Sequence, residues 1–170
     1  MMTNQPDPVA PVAAPQQSAA DIMTALAEAS AINKDLFARN KEVLFAALAS
    51  AGIDTVNVEF DGQGDSGQIS SLVALNHGTD IALPAQKIDF SELVEDKTSR
   101  GSNNTRTERR SLTLQDAIEE MVYAKLSESH GGWENDDGAF GTFVFTVAEQ
   151  IIKLEYNERY TSYEYSTHEF

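Results

Sequence analysis

The chain has 170 residues, 41% of them hydrophobic, and a formal net charge of −15 at pH 7 from 12 Lys and Arg against 27 Asp and Glu. Such a charge repels phosphate backbones and anionic lipid, so we expect neither nucleic acid nor a membrane as a direct ligand. The chain has no cysteine, which excludes disulfides, thiolate metal sites and cysteine nucleophiles. No run approaches the roughly 18 apolar residues of a membrane span, and a secretion signal pattern is absent, so we expect a soluble cytoplasmic protein.

The first predicted element is a long helix that follows a disordered tail. Residues 1–17 hold four of the five prolines among Ala, Val and Gln, which is typical of disorder. Ser18 and Asp21 have the spacing of a capping box, and apolar residues then recur near a 3.6-residue period until Gly52. This pattern predicts one amphipathic helix, with a potential break near residues 33–35. Its alanine-rich stripe is not a strict heptad repeat but permits pairing with a second copy, and hence a homo-oligomer.

Two runs of alternating apolar and polar residues, 56–60 and 69–75, follow the helix and flank the sequence DGQGDSG. They predict a β-hairpin with a wide turn. A weaker third strand is predicted over residues 81–90, where Pro84 favours an edge position. The glycines have the spacing G-x-G-x-x-G, but a strand follows them instead of the helix that a dinucleotide site requires, so we exclude nucleotide binding there.

The next segment is basic. Residues 97–110 carry five Lys and Arg against a single acid, Glu108, which gives this segment a net charge of +4 and leaves −19 for the other residues. Ser, Asn, Thr and Arg dominate it, a composition typical of a solvated loop. We predict a flexible basic loop over about residues 96–111.

A second helix and a second hairpin complete the predicted fold. Thr113 and Asp116 form an N-terminal cap, an apolar face follows, and Gly131 closes the helix. Residues 143–147 and 152–156 alternate as two further strands. Residues 18–170 are therefore predicted as a single α+β domain, in which an antiparallel sheet of about five strands from two hairpins packs against the long N-terminal helix and the central helix.

The sequence HGGWENDDGAFG, residues 130–141, concentrates glycines, acids and the one tryptophan of the chain. Packing explains the glycines as turn residues and Trp133 as a plug over the end of the core. The remaining polar residues have the atom types that bind divalent metals, and His168 is a remote candidate ligand. This set favours, as an alternative function, a metal-dependent hydrolase using His130, Glu134, Asp136, Asp137 and His168. In the competing interpretation the acids only cap and solvate a turn, Arg159 pairs with one of them, and no cofactor is bound.

The C-terminal sequence YNERYTSYEYSTHEF places tyrosines among carboxylates. Tyrosine combines a rigid apolar body with a hydroxyl group, which is favoured at protein interfaces. A terminal strand that covers the core with one side is the alternative. The candidate interaction residues of the two sequences are Trp133, Glu134, Asp136, Asp137, Glu158, Tyr160, Tyr163, Glu164 and Tyr165.

These two sequences, together with VEFDGQGDSGQI upstream, resemble a family of small acidic bacterial proteins known only as a domain of unknown function. The resemblance covers roughly residues 53–170. It implies a shared α+β domain and an association with plasmids, prophages or other mobile elements. It implies no catalytic residues, because that family has no assigned activity.

The net charge and the tyrosines favour a non-enzymatic regulatory protein that binds a protein partner, one with a basic surface, through an acidic and tyrosine-rich surface. A specific version is mimicry of nucleic acid, in which carboxylates spaced like phosphates occupy the basic groove of a nuclease or a host defence protein and inhibit it.

Overall fold

The computed structural model describes residues 18–95 and 105–170, which form two helices and seven strands. The helices are α1 (Ala19–Ser50) and α2 (Leu114–Ser129). The strands are β1 (Thr55–Asn76), β2 (Thr79–Ile81), β3 (Lys87–Glu95), β4 (Thr105–Thr113), β5 (Asn135–Asp136), β6 (Ala139–Thr146) and β7 (Ile151–Glu158). The larger sheet is antiparallel in the order β2-β1-β6-β7, with β5 attached to β1, while β3 and β4 form a separate sheet. The predicted α+β class, with an antiparallel sheet of about five strands and a long N-terminal helix, is confirmed. The predicted disordered tail, residues 1–17, lies outside the described residues.

Strand β1 has 22 residues and folds back on itself. A straight strand of that length would span roughly 70 Å. However, the amide of Asp54, just before β1, donates to the carbonyl of Leu75 near its end at 2.9 Å. The reversal lies in DGQGDSG, since the Trp133 ring contacts the positions of both Gly62 and Gly67. The two predicted runs are thus the arms of a hairpin, whose turn residues also remain extended enough to pair with β5.

A second, tighter turn joins β1 to β2. His77 and Gly78 have φ angles of +48° and +78°, the pattern of a two-residue hairpin turn of type I′. Strand β2 ends at Ile81, and β3 begins in the other sheet. The strand predicted over residues 81–90, interrupted by Pro84, is thus present in two parts: Ile81 ends β2, and residues 87–90 begin β3. Pro84 cannot donate to a ladder, and the run is divided there between the edge of one sheet and the start of another.

Strands β3 and β4 pair over all nine residues of each. Arg110 on β4 donates to both carboxylate oxygens of Glu92 on β3 at 3.0 Å, and this hydrogen-bonded ion pair raises the pKa of Arg110. The predicted flexible loop over residues 96–111 is wrong for residues 105–111, which belong to β4. Cross-strand hydrogen bonds and ion pairs hold these basic residues in a sheet. Residues 96–104 lie outside the described residues.

Helix α1 begins at the predicted capping box, where the Ser18 hydroxyl accepts from the Asp21 amide and the Asp21 carboxylate accepts from the Ser18 amide. The helix continues without a break through residues 33–35. Its buried residues, Leu36 to Leu48, all lie in its second half. Only this second half is therefore part of the packed domain.

Asn40 connects α1 to the smaller sheet. Its side chain is 5% exposed, donates to the Ser91 carbonyl at 2.8 Å and accepts from the Ser91 amide at 2.9 Å. These two bonds pair the amide and the carbonyl of Ser91 in β3, as the main chain of a neighbouring strand would do. A buried polar side chain thus fixes the position of α1 against β3.

The core lies between the two helices, one face of the larger sheet and the buried residues of the smaller sheet, Ile88, Phe90 and Leu112. Helix α2 begins at the predicted cap Thr113, and its last residue is Ser129, two residues before the predicted end at Gly131. Phe45 of α1 meets Phe145 of β6 with ring centroids 6.1 Å apart. The largest fully buried side chains are Phe45, Phe60, Phe143, Phe145, Leu44, Leu48, Leu114, Ile118, Met121, Leu126, Val56 and Val58. Strands β6 and β7 form the predicted second hairpin. In the described part of the chain, neither helix has the length and apolar character needed to cross a membrane.

Candidate interaction site

The three sequences that carry the family resemblance meet at one end of the larger sheet, at the turn of β1. Gly64 and Asp65 in that turn pair with Asp136 and Asn135 of β5. Gly138 lies so close to the β1 main chain that a Cβ atom there would be 1.9 Å from the Gly62 carbonyl oxygen. We name this region the tip: residues 61–67, residues 130–138, Glu158 and Arg159.

Trp133 is the centre of the tip. Its ring packs edge-on against Phe60, with centroids 5.3 Å apart, and lies against both glycines that flank the turn of β1. A Cβ atom at Gly62 would be 2.7 Å from the ring, and one at Gly67 would be 2.2 Å from it. Trp133 is 8% exposed, so the predicted plug is present. Because of that burial, Trp133 belongs to the core and not to the surface on which we expected it as an interaction residue.

Arg159 holds the tip from the C-terminal side. Its guanidinium donates to the Gly62 carbonyl at 3.0 Å and to the Asp61 carboxylate at 2.9 Å, and it lies over the Phe140 ring, 4.6 Å from the centroid. Its amide donates to the Gly138 carbonyl at 2.9 Å. We expected Arg159 to pair with an acid of residues 134–137, but in the structure its ion-pair partner is Asp61 on β1.

The predicted metal ligands point to separate environments. His130 stacks on Tyr156 with ring centroids 3.7 Å apart, and one carboxylate oxygen of Glu134 is buried without a hydrogen-bond partner. Asp137 accepts from the Thr161 hydroxyl at 2.8 Å, while His168 lies in the C-terminal segment. Within residues 18–95 and 105–170, no three His, Asp or Glu side chains are close enough to share a metal ion. The geometry therefore does not bring His130, Glu134, Asp136, Asp137 and His168 together as one site.

The stack of His130 and Tyr156 links the end of α2 to β7. Tyr156 also packs near Phe60, with centroids 6.2 Å apart. Burial raises the pKa of the Tyr156 hydroxyl, and the negative charge of Glu158 raises it further. His130 thus has a structural contact that explains its place in the motif.

Carboxylates surround the tip on the outside. Asp61, Asp65, Asp136 and Glu158 are exposed, and only Asp61 among these four pairs with Arg159. In the described parts of the chain Asn40 is the only buried polar residue, so no Asp or Glu residue there is buried as a whole. A shallow cavity of about 310 Å³ lies beside Asp61 and Ser66. Sequence reasoning missed Asp61 and Asp65 as members of this surface, although the glycine pattern around them marked the turn.

The C-terminal segment, residues 160–170, begins at the tip and has no regular secondary structure. Tyr160, Tyr163 and Tyr165 are 84%, 91% and 89% exposed, and Glu164 lies between the last two. The Thr161 bond to Asp137 attaches the start of the segment to the tip. The alternative of a terminal strand that covers the core holds for Tyr156, which lies on β7 and packs against the core. It is wrong for residues 160–170, which neither pair with the sheet nor bury their tyrosines.

The combined surface of the tip and the C-terminal segment holds eight of the nine predicted interaction residues outside the core. Glu134 and Asp137 are partly buried, whereas the exposed members are Asp136, Glu158, Tyr160, Tyr163, Glu164 and Tyr165. We call this the acidic tyrosine surface. Such a surface presents aromatic area beside negative charge, with few contacts to its own chain.

Comparison with known proteins gives a family but no function. Searches of curated proteins and of solved structures found no match to the chain. Residues 36–170 match a sequence family described as a family of unknown function (DUF6878). The match begins at Leu36, the first buried residue of α1, and so extends further toward the N-terminus than the resemblance over residues 53–170. The chain belongs to this family of unknown function (DUF6878).

Proposed function

We propose that the chain is a non-enzymatic cytoplasmic protein that binds a protein partner with a basic surface through the acidic tyrosine surface. The observation that carries this proposal is the exposure of three tyrosines, each at least 84% accessible, within six residues of one another. An apolar ring in water is costly, and monomeric proteins rarely keep several together on the outside. Burial of these rings against a partner would remove that cost and supply the aromatic contacts typical of interface centres.

Electrostatics supports a basic partner. The net charge is −15, and Asp65, Asp136 and Glu158 are exposed at the tip, where the C-terminal segment with the three tyrosines begins. Opposite charges across an interface raise the association rate, and salt screens that attraction over about 10 Å at 0.1 M. Binding should therefore weaken strongly as salt concentration rises.

A finer form of the proposal is mimicry of nucleic acid. The partner would then be a nuclease or a defence protein of a bacterial host, whose basic groove accepts carboxylates in place of phosphates. The exposed carboxylates of the tip and the resemblance to proteins of mobile elements support this form. Competition with DNA for the same partner is its specific consequence.

The test is affinity capture with matched variants. The variant Tyr160→Ser/Tyr163→Ser/Tyr165→Ser removes the aromatic contacts from a segment that contributes nothing to the core. The full chain and this variant are immobilised equally and exposed to lysate, and the captured partner is identified and purified. We expect at least a tenfold loss of affinity for the variant in titrations with the purified partner.

Charge needs its own pair of variants. Asp65→Asn/Asp136→Asn/Glu158→Gln removes three carboxylates from the tip. Glu42→Gln/Asp80→Asn/Glu149→Gln is the control, which removes three exposed carboxylates elsewhere. We expect the tip variant to lose affinity and part of the salt dependence, and the control to change little. Equal losses in both would show that only net charge matters, and binding that ignores salt and all three variants would refute the proposal.

A further inference from the structure

The first half of α1, residues 19–35, extends beyond the packed domain. It has 17 residues, about 25 Å of helix, and in it only Ala29 is even partly buried. Ile22, Met23 and Leu26 are 45%, 67% and 60% exposed. This extension also precedes the family match, which starts at residue 36. Apolar side chains thus lie on a helix that has no cover from its own described residues.

These side chains continue the buried face of the same helix. In the second half, Leu36, Asn40, Leu44 and Ala47 face the domain. Steps of three and four residues toward the N-terminus lead from Leu36 to Asn33, Ala29, Leu26 and Ile22. Such alternating steps place residues along one side of a helix and are the spacing of a coiled-coil seam. Over residues 22–36 the stripe is therefore regular enough to receive a second helix.

A groove next to this stripe could hold the end of the second helix. Its volume is about 550 Å³, and it lies between α1, β3 and α2. Leu26 and Phe37 line it from α1, Leu93 from β3 and Ala124 from α2. It therefore offers apolar walls at the level where the exposed stripe becomes the buried one.

The direction of a partner helix follows from the position of the domain. The stripe that is exposed before Leu36 is covered after it by the chain's own β3 and α2. A parallel copy of α1 on this face would bring its own sheet and α2 into the space that these already occupy. An antiparallel copy places its domain beyond the N-terminus of α1, and it keeps two strongly acidic domains apart.

We propose that two copies of the chain associate through antiparallel pairing of their α1 extensions. The two-fold axis lies near Ala29, whose small side chain permits close approach of the helices, and Ile22 of each copy reaches the groove of the other. This interface is separate from the acidic tyrosine surface. A partner protein and a second copy can therefore bind at the same time.

The first experiment measures mass against concentration for the full chain by analytical ultracentrifugation. We expect a reversible monomer–dimer equilibrium, which Ile22→Glu/Leu26→Glu shifts at least tenfold toward monomer. The control Thr24→Glu/Ala31→Glu adds the same charge on the opposite side of the exposed helix and should dimerise almost as the wild type does. A monomer at all concentrations overturns the proposal, as does dimerisation that only deletion of residues 1–17 reveals, since those residues would then be the natural cover.

The second experiment uses the absence of native cysteine. Ala29→Cys should form a disulfide-linked dimer under mild oxidation at low protein concentration, whereas Ala31→Cys on the opposite side should not. Spin labels at Ala19→Cys, on the flank of the stripe, should lie about 30 Å apart or more in the antiparallel dimer, because ten residues separate each from the axis. A distance near 10 Å would indicate parallel helices and overturn the proposal. Salt separates this inference from the proposed function, since rising salt should leave the apolar dimer intact while it weakens the acidic interface.

Discussion

Gly67→Ala tests the structural role of the tip. The new methyl group would lie 2.2, 2.6 and 2.8 Å from three atoms of the Trp133 ring, where ordinary contact begins at 3.4 Å. The ring must therefore move by about 1 Å, although Phe60 holds it from the other side. Overpacking of this kind costs about 1–3 kcal/mol, which for a chain of this size lowers Tm by roughly 4–10 °C.

Thermal unfolding followed by circular dichroism measures this effect, and two variants make the reasoning testable. Gly131→Ala is the control, because its new methyl group would meet nothing closer than the Ser127 carbonyl oxygen at 3.4 Å. Its Tm should stay within about 2 °C of the wild type. The double variant Gly67→Ala/Trp133→Phe should be about 1 kcal/mol more stable than the sum of the two single changes predicts, because the smaller ring relieves the overlap. If Gly67→Ala unfolds like the wild type, or if the smaller ring brings no recovery, the packing account of the tip is incorrect.

Two further predictions concern the interior. Asn40→Ala removes the Asn40 partner of the Ser91 amide and carbonyl, which should lower the free energy of unfolding in urea by about 2–4 kcal/mol. The control Asn33→Ala, at an exposed position, should change it by less than about 0.5 kcal/mol. Similar values for both variants would contradict the role of Asn40. Burial raises the pKa of Tyr156, so its contribution to stability is complete below the ordinary pKa of tyrosine and is lost as pH rises through the higher folded value. Between pH 9 and 11.5 the Tm of the wild type should fall more steeply with pH than the Tm of Tyr156→Phe. Equal slopes would contradict this assignment.

Hydrophobic periodicity and capping predicted most of the fold. Ser18 and Thr113 begin the two helices, and the two hairpins have their apolar residues on the expected face. The pairing of β3 with β4 was not predictable from the same signal. Strand β4 consists mainly of Thr, Ser, Arg and Glu with few apolar residues, and partners on β3 stabilise it, such as Glu92, which forms an ion pair with Arg110. Contacts between distant residues, not local pattern, define that strand.

The candidate site was only partly predictable, because contacts between residues far apart in the sequence also define it. The position of the motif residues in a turn followed from the glycines, but the burial of Trp133 depends on Gly62 and Gly67, which are more than sixty residues away in the chain. Closeness in sequence also suggested a metal site that the side chains do not form. His130 instead stacks on Tyr156, a contact that no local pattern indicates. The ion-pair partner of Arg159, Asp61 on β1, is likewise far from it in the sequence.

The measurement that tests the central claim most directly is hydrogen–deuterium exchange of the full chain with and without its captured, purified partner. We predict that protection appears in the C-terminal segment, residues 160–170, and in residues 61–67 and 134–137 of the tip, and that it decreases at high salt. Protection confined to the α1 extension or to β3 and β4, with the C-terminal segment exchanging freely in the complex, would contradict the account.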